Sequence, residues 1–108
     1  MRESIIEKYL VKRVKQMGGE VRKVNWIGRR GAPDRLVMLP ITEAHTPTPI
    51  RIITHAIWVE LKAPGVEPKA HQLREHNRMR RLGQRVEVVD SFESVEEVLD
   101  ARKVKHGY

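Results

Sequence analysis

Two short stretches decide the fold of this chain: GAPDR at residues 31–35 and VELK at residues 59–62. Asp34 follows a glycine turn, whereas Glu60 and Lys62 stand at the end of a long apolar run. Alternate side chains of an extended strand share a face, so we expect Glu60 and Lys62 to point the same way. Packing does not readily explain a carboxylate and an ammonium at that place. A second carboxylate on a neighbouring strand, supplied by Asp34, would complete a metal site.

These residues resemble the PD-(D/E)xK nuclease pattern, in which an aspartate and a glutamate bind a hard divalent ion and a lysine serves the phosphate chemistry. Further residues recur in the same order as in stand-alone VRR-NUC domains of phage type. They are Glu7, Gly18, Gly19, Lys23, residues 31–35, residues 59–65 and Gln72. The match covers nearly the whole chain. The resemblance implies a restriction-endonuclease-like core with the element order αβββαβ.

Hydrophobic periodicity independently predicts an α/β chain with a mixed sheet flanked by helices. The predicted elements are a helix at 4–17, strands at 20–26, 35–39 and 50–61, a helix at 69–82, a strand at 85–89 and a final helix to about 101. Residues 40–49 are rich in proline and threonine and are expected to form a loop. Ser94 and Glu97 suggest a capping box for the final helix. Short loops favour antiparallel pairing among the first three strands, and a helical crossover makes the last strand parallel to its neighbour.

Length and charge are consistent with one nucleic-acid-binding domain. A chain of 108 residues is expected to form a single domain, residues 1–108, with one modest core. Its 21 Lys and Arg against 14 Asp and Glu leave a net charge of +7, which favours a polyanionic partner over a merely solubilising coat. The aromatic residues are few and scattered along the sequence. That distribution argues against a base-stacking platform and leaves phosphate contacts as the main source of affinity.

Several classes of protein are disfavoured by what the sequence lacks. Without cysteine there is no disulfide framework and no thiolate nucleophile or zinc ligand. No apolar run approaches about 18 residues and no signal segment is seen, so we expect no membrane partner and a cytoplasmic location in a bacterial or phage-infected host. The glycines form no phosphate-cradling loop, which excludes a nucleotide cofactor. His71 and His76 are five residues apart, a spacing that favours solvated roles over a metal site.

The acidic pair and the lysine suit hydrolysis of a phosphodiester. Mg²⁺ or Mn²⁺ prefers oxygen ligands, which Asp34 and Glu60 can provide. Such an ion lowers the pKa of water and neutralises phosphate charge, so that hydroxide can attack phosphorus in line. Lys62 would stabilise the developing negative charge or orient the water.

Three further roles rest on the family resemblance. It implies that the backbone carbonyl of Leu61 is a metal ligand, that Glu7 approaches the ion directly or through water, and that Gln72 positions the lysine or the nucleophile. The sequence leaves alternatives for the glutamate. Ser4 and Glu7 also form a capping-box pattern, and Glu3 is a competing ligand one turn earlier.

The other candidate residues also have simpler explanations. Asp34 could cap a turn, and Glu60 with Lys62 could form a surface ion pair. Basic residues flank the aspartate turn, where they could be solvated or could contact the scissile strand. They are Lys23, Arg29, Arg30 and Arg35.

The sequence therefore predicts a metal-dependent, structure-selective DNA endonuclease. We expect it to act on branched DNA as a Holliday-junction-resolvase-like homodimer, with Trp26 or Trp58 as candidate interface residues. The alternative is a non-catalytic basic module that binds DNA or RNA on a nuclease fold. The residues alone do not distinguish DNA from RNA.

Overall fold

The computed structural model describes residues 1–40 and 56–100, which contain three helices and four strands. In chain order they are α1 (Glu3–Gln16), β1 (Glu20–Lys23), β2 (Arg35–Met38), β3 (Ala56–Leu61), α2 (Ala70–Arg81), β4 (Val86–Val89) and α3 (Phe92–Leu99). This order confirms the predicted α/β class and the αβββαβ core. Residues 41–49 of the predicted loop, the first part of the predicted third strand and the end of the predicted last helix lie outside the described residues.

The four strands form one mixed sheet in the order β1-β2-β3-β4. The first three strands are antiparallel neighbours, and β4 runs parallel to β3. Because α2 connects β3 to β4, it supplies the crossover that a parallel pair requires. The predicted pairing pattern is confirmed, and it places β3 at the centre of the sheet next to both kinds of neighbour.

The main core lies between one face of the sheet and the helices α1 and α3. Ile6, Leu10 and Val14 repeat every four residues along α1 and are fully buried. Alternate residues of β3 face this core, as the period of two in a strand requires. The buried cluster is Ile6, Leu10, Val14, Val37, Ile57, Val59, Leu61, Val89, Val95, Val98 and Leu99. Each such side chain contributes roughly 1.5–3 kcal/mol on burial.

The second face of the sheet is more polar and is covered by α2. Trp58 and Glu60 alternate with the core residues of β3 and therefore lie on this face. From α2, Glu75, His76 and Met79 are buried. Within the described residues, no helix is long and apolar enough to cross a lipid bilayer.

Two helix starts differ from the sequence interpretation. Ser91, not Ser94, caps α3: its hydroxyl accepts from the Ser94 N–H at 3.0 Å, and the Ser94 hydroxyl accepts from the Ser91 N–H at 3.1 Å. The predicted Ser94–Glu97 box was wrong because either serine can begin a helix, and the earlier start is the one that occurs. In α1 the N-cap is Arg2 and Ser4 lies inside the helix, so a Ser4–Glu7 capping box does not form.

The first strand is also shorter than predicted. β1 ends at Lys23, which leaves Trp26 in the irregular segment before the glycine turn. The Val24 N–H still donates to the Asp34 carbonyl at 2.9 Å, so the strand pairing continues one residue beyond the regular element.

Candidate active site at the ends of the central strands

Strand register brings Asp34 and Glu60 to the same place. β2 and β3 pair Arg35 with Val59, and the same register continued by one residue sets Asp34 opposite Glu60. Opposite residues share a face of the sheet, so this register assigns Asp34 and Glu60 to the same face. They differ in exposure, because the Asp34 side chain is 60% exposed and that of Glu60 is 12% exposed.

The glycine turn before Asp34 is held against α2. Gly31 has φ +88°, and a Cβ at this position would come within 2.8 Å of the His71 carbonyl oxygen. Pro33 is fully buried, and its carbonyl accepts a hydrogen bond from the Trp26 indole N–H at 2.9 Å. Only a glycine allows this close approach, which in turn fixes where the strand that carries Asp34 begins.

Lys62 lies beside Glu60 and is held by α2. Its ammonium nitrogen is 3.9 Å from a Glu60 carboxylate oxygen and donates to the Gln72 side-chain oxygen at 3.0 Å. The same Gln72 oxygen accepts from the Lys69 backbone N–H at 2.8 Å, at the start of the helix. Gln72 therefore ties the lysine to the first turn of α2.

Glu7 reaches the site through an arginine. The Arg35 Nε donates to the Glu7 carboxylate at 2.8 Å, and a second guanidinium nitrogen bonds the same oxygen. A third nitrogen of Arg35 lies 3.0 Å from the Asp34 carboxylate. Burial opposes the charge on Arg35, but the bond to Glu7 and the charge of Asp34 raise its pKa further above the usual range. The arginine that we expected to contact DNA thus joins two of the predicted acidic residues.

His76 is a neighbour of the site that sequence reasoning missed. Its side chain is 0% exposed, so the expected solvated role was wrong. The His76 Nε2 lies 3.5 Å from a Glu60 carboxylate oxygen. The helical spacing of the sequence does indicate this position. His76 is four residues after Gln72 and three before Met79, so all three lie on one face of α2.

The remaining basic residues divide into paired and solvated ones. Arg29 forms two bonds to the Glu75 carboxylate, at 2.8 and 2.9 Å. Those bonds lower the pKa of Glu75, although its burial acts in the opposite direction. Lys23 and Arg30 are exposed near the aspartate turn.

The donors available for a metal ion are two carboxylates and the backbone. Across residues 1–40 and 56–100, no group of three or more His, Asp or Glu side chains is gathered closely enough to hold an ion. The N–H groups of Trp58 and Lys62 both donate to the β4 side of the strand. The Leu61 carbonyl belongs to the same peptide group as the Lys62 N–H and points the opposite way, towards β2. The β2–β3 register, continued by two residues beyond Arg35 and Val59, places Pro33 opposite Leu61. Proline has no N–H to donate to the Leu61 carbonyl.

A mixed sheet of this topology, flanked by helices and with two carboxylates and a lysine at the ends of its central strands, defines the PD-(D/E)xK class of nuclease folds. Comparisons with known proteins identify one family within that class. The chain is 46% identical over 91 residues to a protein named "Putative nuclease p44" from Acyrthosiphon pisum secondary endosymbiont phage 1, covering 84% of this chain and 85% of the phage protein. A solved structure named "VRR_NUC domain" superposes with a TM-score of 0.73 at 38% identity, covering 92% of this chain and 95% of the other. A search against family models found no match. The chain belongs to the VRR-NUC family of nuclease domains.

Proposed function

We propose that this protein is a divalent-metal-dependent endonuclease that hydrolyses phosphodiester bonds in branched DNA and works as a homodimer. One observation carries the proposal: the β2–β3 register pairs Arg35 with Val59 and, continued by one residue, puts Asp34 opposite Glu60, whose carboxylate lies 3.9 Å from the Lys62 ammonium. Membership of the VRR-NUC family and the similarity to a phage protein named as a nuclease support it.

The donor set fits Mg²⁺ or Mn²⁺. Asp34, Glu60 and the Leu61 carbonyl offer only oxygen, which hard divalent ions prefer. Pro33 leaves that carbonyl without a ladder donor, and the exposed Asp34 leaves the site open to a substrate. Few protein ligands are needed, because magnesium keeps several waters and shares substrate phosphate oxygens.

Each side chain then has a separate task in the reaction. A bound divalent ion supplies charge neutralisation at the phosphate and lowers the pKa of water. The Lys62 ammonium stabilises negative charge that develops on the phosphate oxygens. Gln72 keeps Lys62 in position through the 3.0 Å hydrogen bond and is itself held by the backbone of Lys69.

Glu7 acts indirectly, through Arg35. Because its carboxylate is engaged by Arg35, and Arg35 also contacts Asp34, we assign Glu7 to positioning the exposed aspartate. Lys23, Arg29 and Arg30 surround the turn and would contact the phosphates of the bound strand. Such contacts give affinity without sequence preference.

The test is cleavage of labelled branched and linear DNA with Mg²⁺, Mn²⁺ or excess chelator. We expect Asp34→Asn, Glu60→Gln and Lys62→Ala each to lower the cleavage rate by at least about 100-fold, because each removes a ligand or a transition-state charge. DNA binding should change little, since affinity is spread over many Lys and Arg side chains. Glu93→Gln is the matched control, because it neutralises an exposed carboxylate on α3 and should cleave normally.

Three results would contradict this proposal. Full activity in excess chelator would exclude the metal mechanism. Wild-type cleavage rates in all three site variants would exclude these residues. Tight DNA binding by wild-type protein, with no cleavage under any of the metal conditions, would favour the alternative of a non-catalytic binding module.

A further inference from the structure

A two-part cleft lies beside the proposed active site, between α2 and the segment that precedes the glycine turn. Its basic part has a volume of about 310 Å³ and is lined by Arg29, Arg30, Arg74 and Arg78, with His71 and Glu75. Its apolar part has a volume of about 420 Å³ and is lined by Trp26, Trp58, Met79 and Leu82. Arg29, Glu75 and Arg78 border both parts, so the two volumes adjoin each other.

The basic part has the electrostatics of an anion site. Four arginines face one glutamate, and that glutamate is already engaged by the two bonds from Arg29. Burial, followed by the charges of Arg30, Lys69, Arg74 and Lys62, lowers the pKa of His71. Arg30 and Arg74 line the same part of the cleft as His71. A phosphate placed there would meet several guanidinium groups, which are well suited to it.

The apolar part presents two fixed aromatic rings. The ring centroids of Trp26 and Trp58 are 5.1 Å apart. Their sequence positions suggested that the two tryptophans are scattered, but in the folded protein they are neighbours. Both indole N–H groups have acceptors, the Pro33 carbonyl at 2.9 Å and the Gln84 side-chain oxygen at 3.0 Å. Leu82 is 74% exposed at the margin. The two rings are inclined at 51° to each other, so a planar ligand would stack on the face of one ring and contact the edge of the other.

The cleft is also close to the proposed chemistry. Trp58 is two residues before Glu60 on the same face of β3, a distance of about 7 Å along the strand. A ligand with one planar apolar end and one anionic end would therefore lie next to the phosphodiester that the carboxylates would act on.

We propose that this cleft binds one unpaired nucleotide, with its base against Trp26 and Trp58 and its phosphate near Arg30, Arg74 and Arg78. The inference rests on the proposed function, because it names the part of the DNA that the nuclease would recognise. Base–aromatic stacking tolerates every base. A site of this kind selects DNA that has an unpaired nucleotide next to the scissile bond, and it does so without reading sequence.

A second copy of this chain is the rival occupant of the tryptophan surface. In a two-fold contact the same residues meet across the axis. Four arginines of one copy would then approach the same four arginines of the other copy. That repulsion disfavours the tryptophan surface as a dimer interface, whereas a phosphate is attracted by the same charges.

Intrinsic fluorescence provides a direct test, because the two tryptophans of the chain both lie in this cleft. The protein is titrated in excess chelator with three duplexes: one carrying a single unpaired nucleotide, one with an abasic spacer at that position, and one fully paired. We expect the unpaired base to quench the fluorescence and to bind about 5- to 100-fold more tightly than the abasic duplex, the range expected for loss of one stacked base.

Two cleft variants and one control sharpen the test. Trp58→Ala should reduce the preference for the base to near unity, with Trp26 still reporting. Leu82→Ser removes an exposed side chain from the cleft margin without opening the core, and should reduce the preference several-fold. Val11→Ser removes an apolar side chain that is 43% exposed on α1, away from the cleft, and should leave the preference unchanged.

Equal affinity of wild-type protein for the base and abasic duplexes would overturn the proposal. So would a fluorescence change that follows protein concentration alone and is unaffected by DNA, which would assign the surface to a second copy. Binding in chelator does not depend on cleavage. A base preference without any cleavage in Mg²⁺ or Mn²⁺ would refute the nuclease proposal and leave the nucleotide site standing, whereas cleavage without a base preference would do the reverse.

Discussion

Pro33 affects the candidate site because proline has no backbone N–H to donate. Any other residue at this position would carry an N–H towards the Leu61 carbonyl in the β2–β3 ladder. Proline ends that ladder, and its own carbonyl accepts the hydrogen bond from the Trp26 indole. The backbone oxygen beside Glu60 therefore remains open to another partner. This gives a physical reason for a proline directly before the aspartate.

Gln72 is the residue whose role a single substitution tests best. In Gln72→Met the side chain keeps its size but loses the oxygen that accepts from Lys62 and Lys69. Loss of a hydrogen bond to a charged group costs about 1.5–3 kcal/mol, so we expect the rate of cleavage to fall roughly 10- to 100-fold with little change in KM.

Gln72→Glu is the matched variant, because it keeps an acceptor for both bonds and should recover most of the rate. Thermal unfolding of both variants separates an effect on Lys62 from a weaker start of α2. A Gln72→Met protein that cleaves at the wild-type rate would show that Lys62 does not depend on this contact.

At the scale of elements, α2 serves both the fold and the site. Its inward face carries polar residues, including the buried Glu75 and His76, where an ordinary core helix would carry only apolar ones. Gln72 meets Lys62, His76 meets Glu60 and Met79 borders the tryptophan cleft. One helix therefore aligns the proposed active site with the proposed nucleotide site, and a small rotation of α2 would disturb both.

The contact between α1 and α3 predicts how stability depends on pH. Arg13 donates to Glu96 at 2.8 and 2.9 Å, and the Tyr9 hydroxyl donates to the same carboxylate at 3.0 Å. The bonds from Arg13 lower the pKa of Glu96 below its ordinary value of 4.5, although burial acts against them. The folded state therefore favours the charged form, so this stabilisation is present above about pH 4.5 and is lost as the pH falls through the lower, folded-state value.

We accordingly expect Glu96→Gln to lower the midpoint of thermal unfolding at pH 7, by an amount that shrinks as the pH is reduced below 4.5. Glu93→Gln, an exposed substitution on the same helix, provides the baseline. Calorimetry of the three proteins across pH measures the difference. An identical midpoint for wild type and Glu96→Gln at pH 7 would show that the contact contributes nothing.

At the scale of the whole molecule, the distribution of charge and the number of sites predict the mode of cutting. The chain carries a net charge of +7, and residues 1–40 and 56–100 provide one proposed site, at Asp34 and Glu60, so two strands would be cut together most simply by a two-fold dimer. We expect a dimer mass by light scattering at micromolar concentration. We also expect symmetric paired nicks across a four-way junction, with little sequence preference.

Linear duplex of the same sequence serves as the control and should remain largely uncut. Affinity for the junction should fall steeply with added salt, because the contacts are mainly to phosphate. A monomer both with and without DNA, or equal cleavage rates on the junction and on the linear duplex, would contradict this prediction.

Local patterns were sufficient for the elements and their order. The four-residue repeat of Ile6, Leu10 and Val14 identifies α1. The capping of α3 was not predictable in the same way, because Ser91 and Ser94 offer similar local chemistry. Which of the two serines caps the helix depends on how the whole helix packs against the sheet.

The sequence by itself determined that Glu60 and Lys62 share a face, because the strand period of two is a local property of the backbone. Register, a non-local quantity, decided that Asp34 stands opposite Glu60. Tertiary packing alone buried His76 beside Glu60 and brought Trp26 to within 5.1 Å of Trp58. These pairs are far apart in the chain and become neighbours only when α2 and the segment before the glycine turn fold onto the polar face of the sheet.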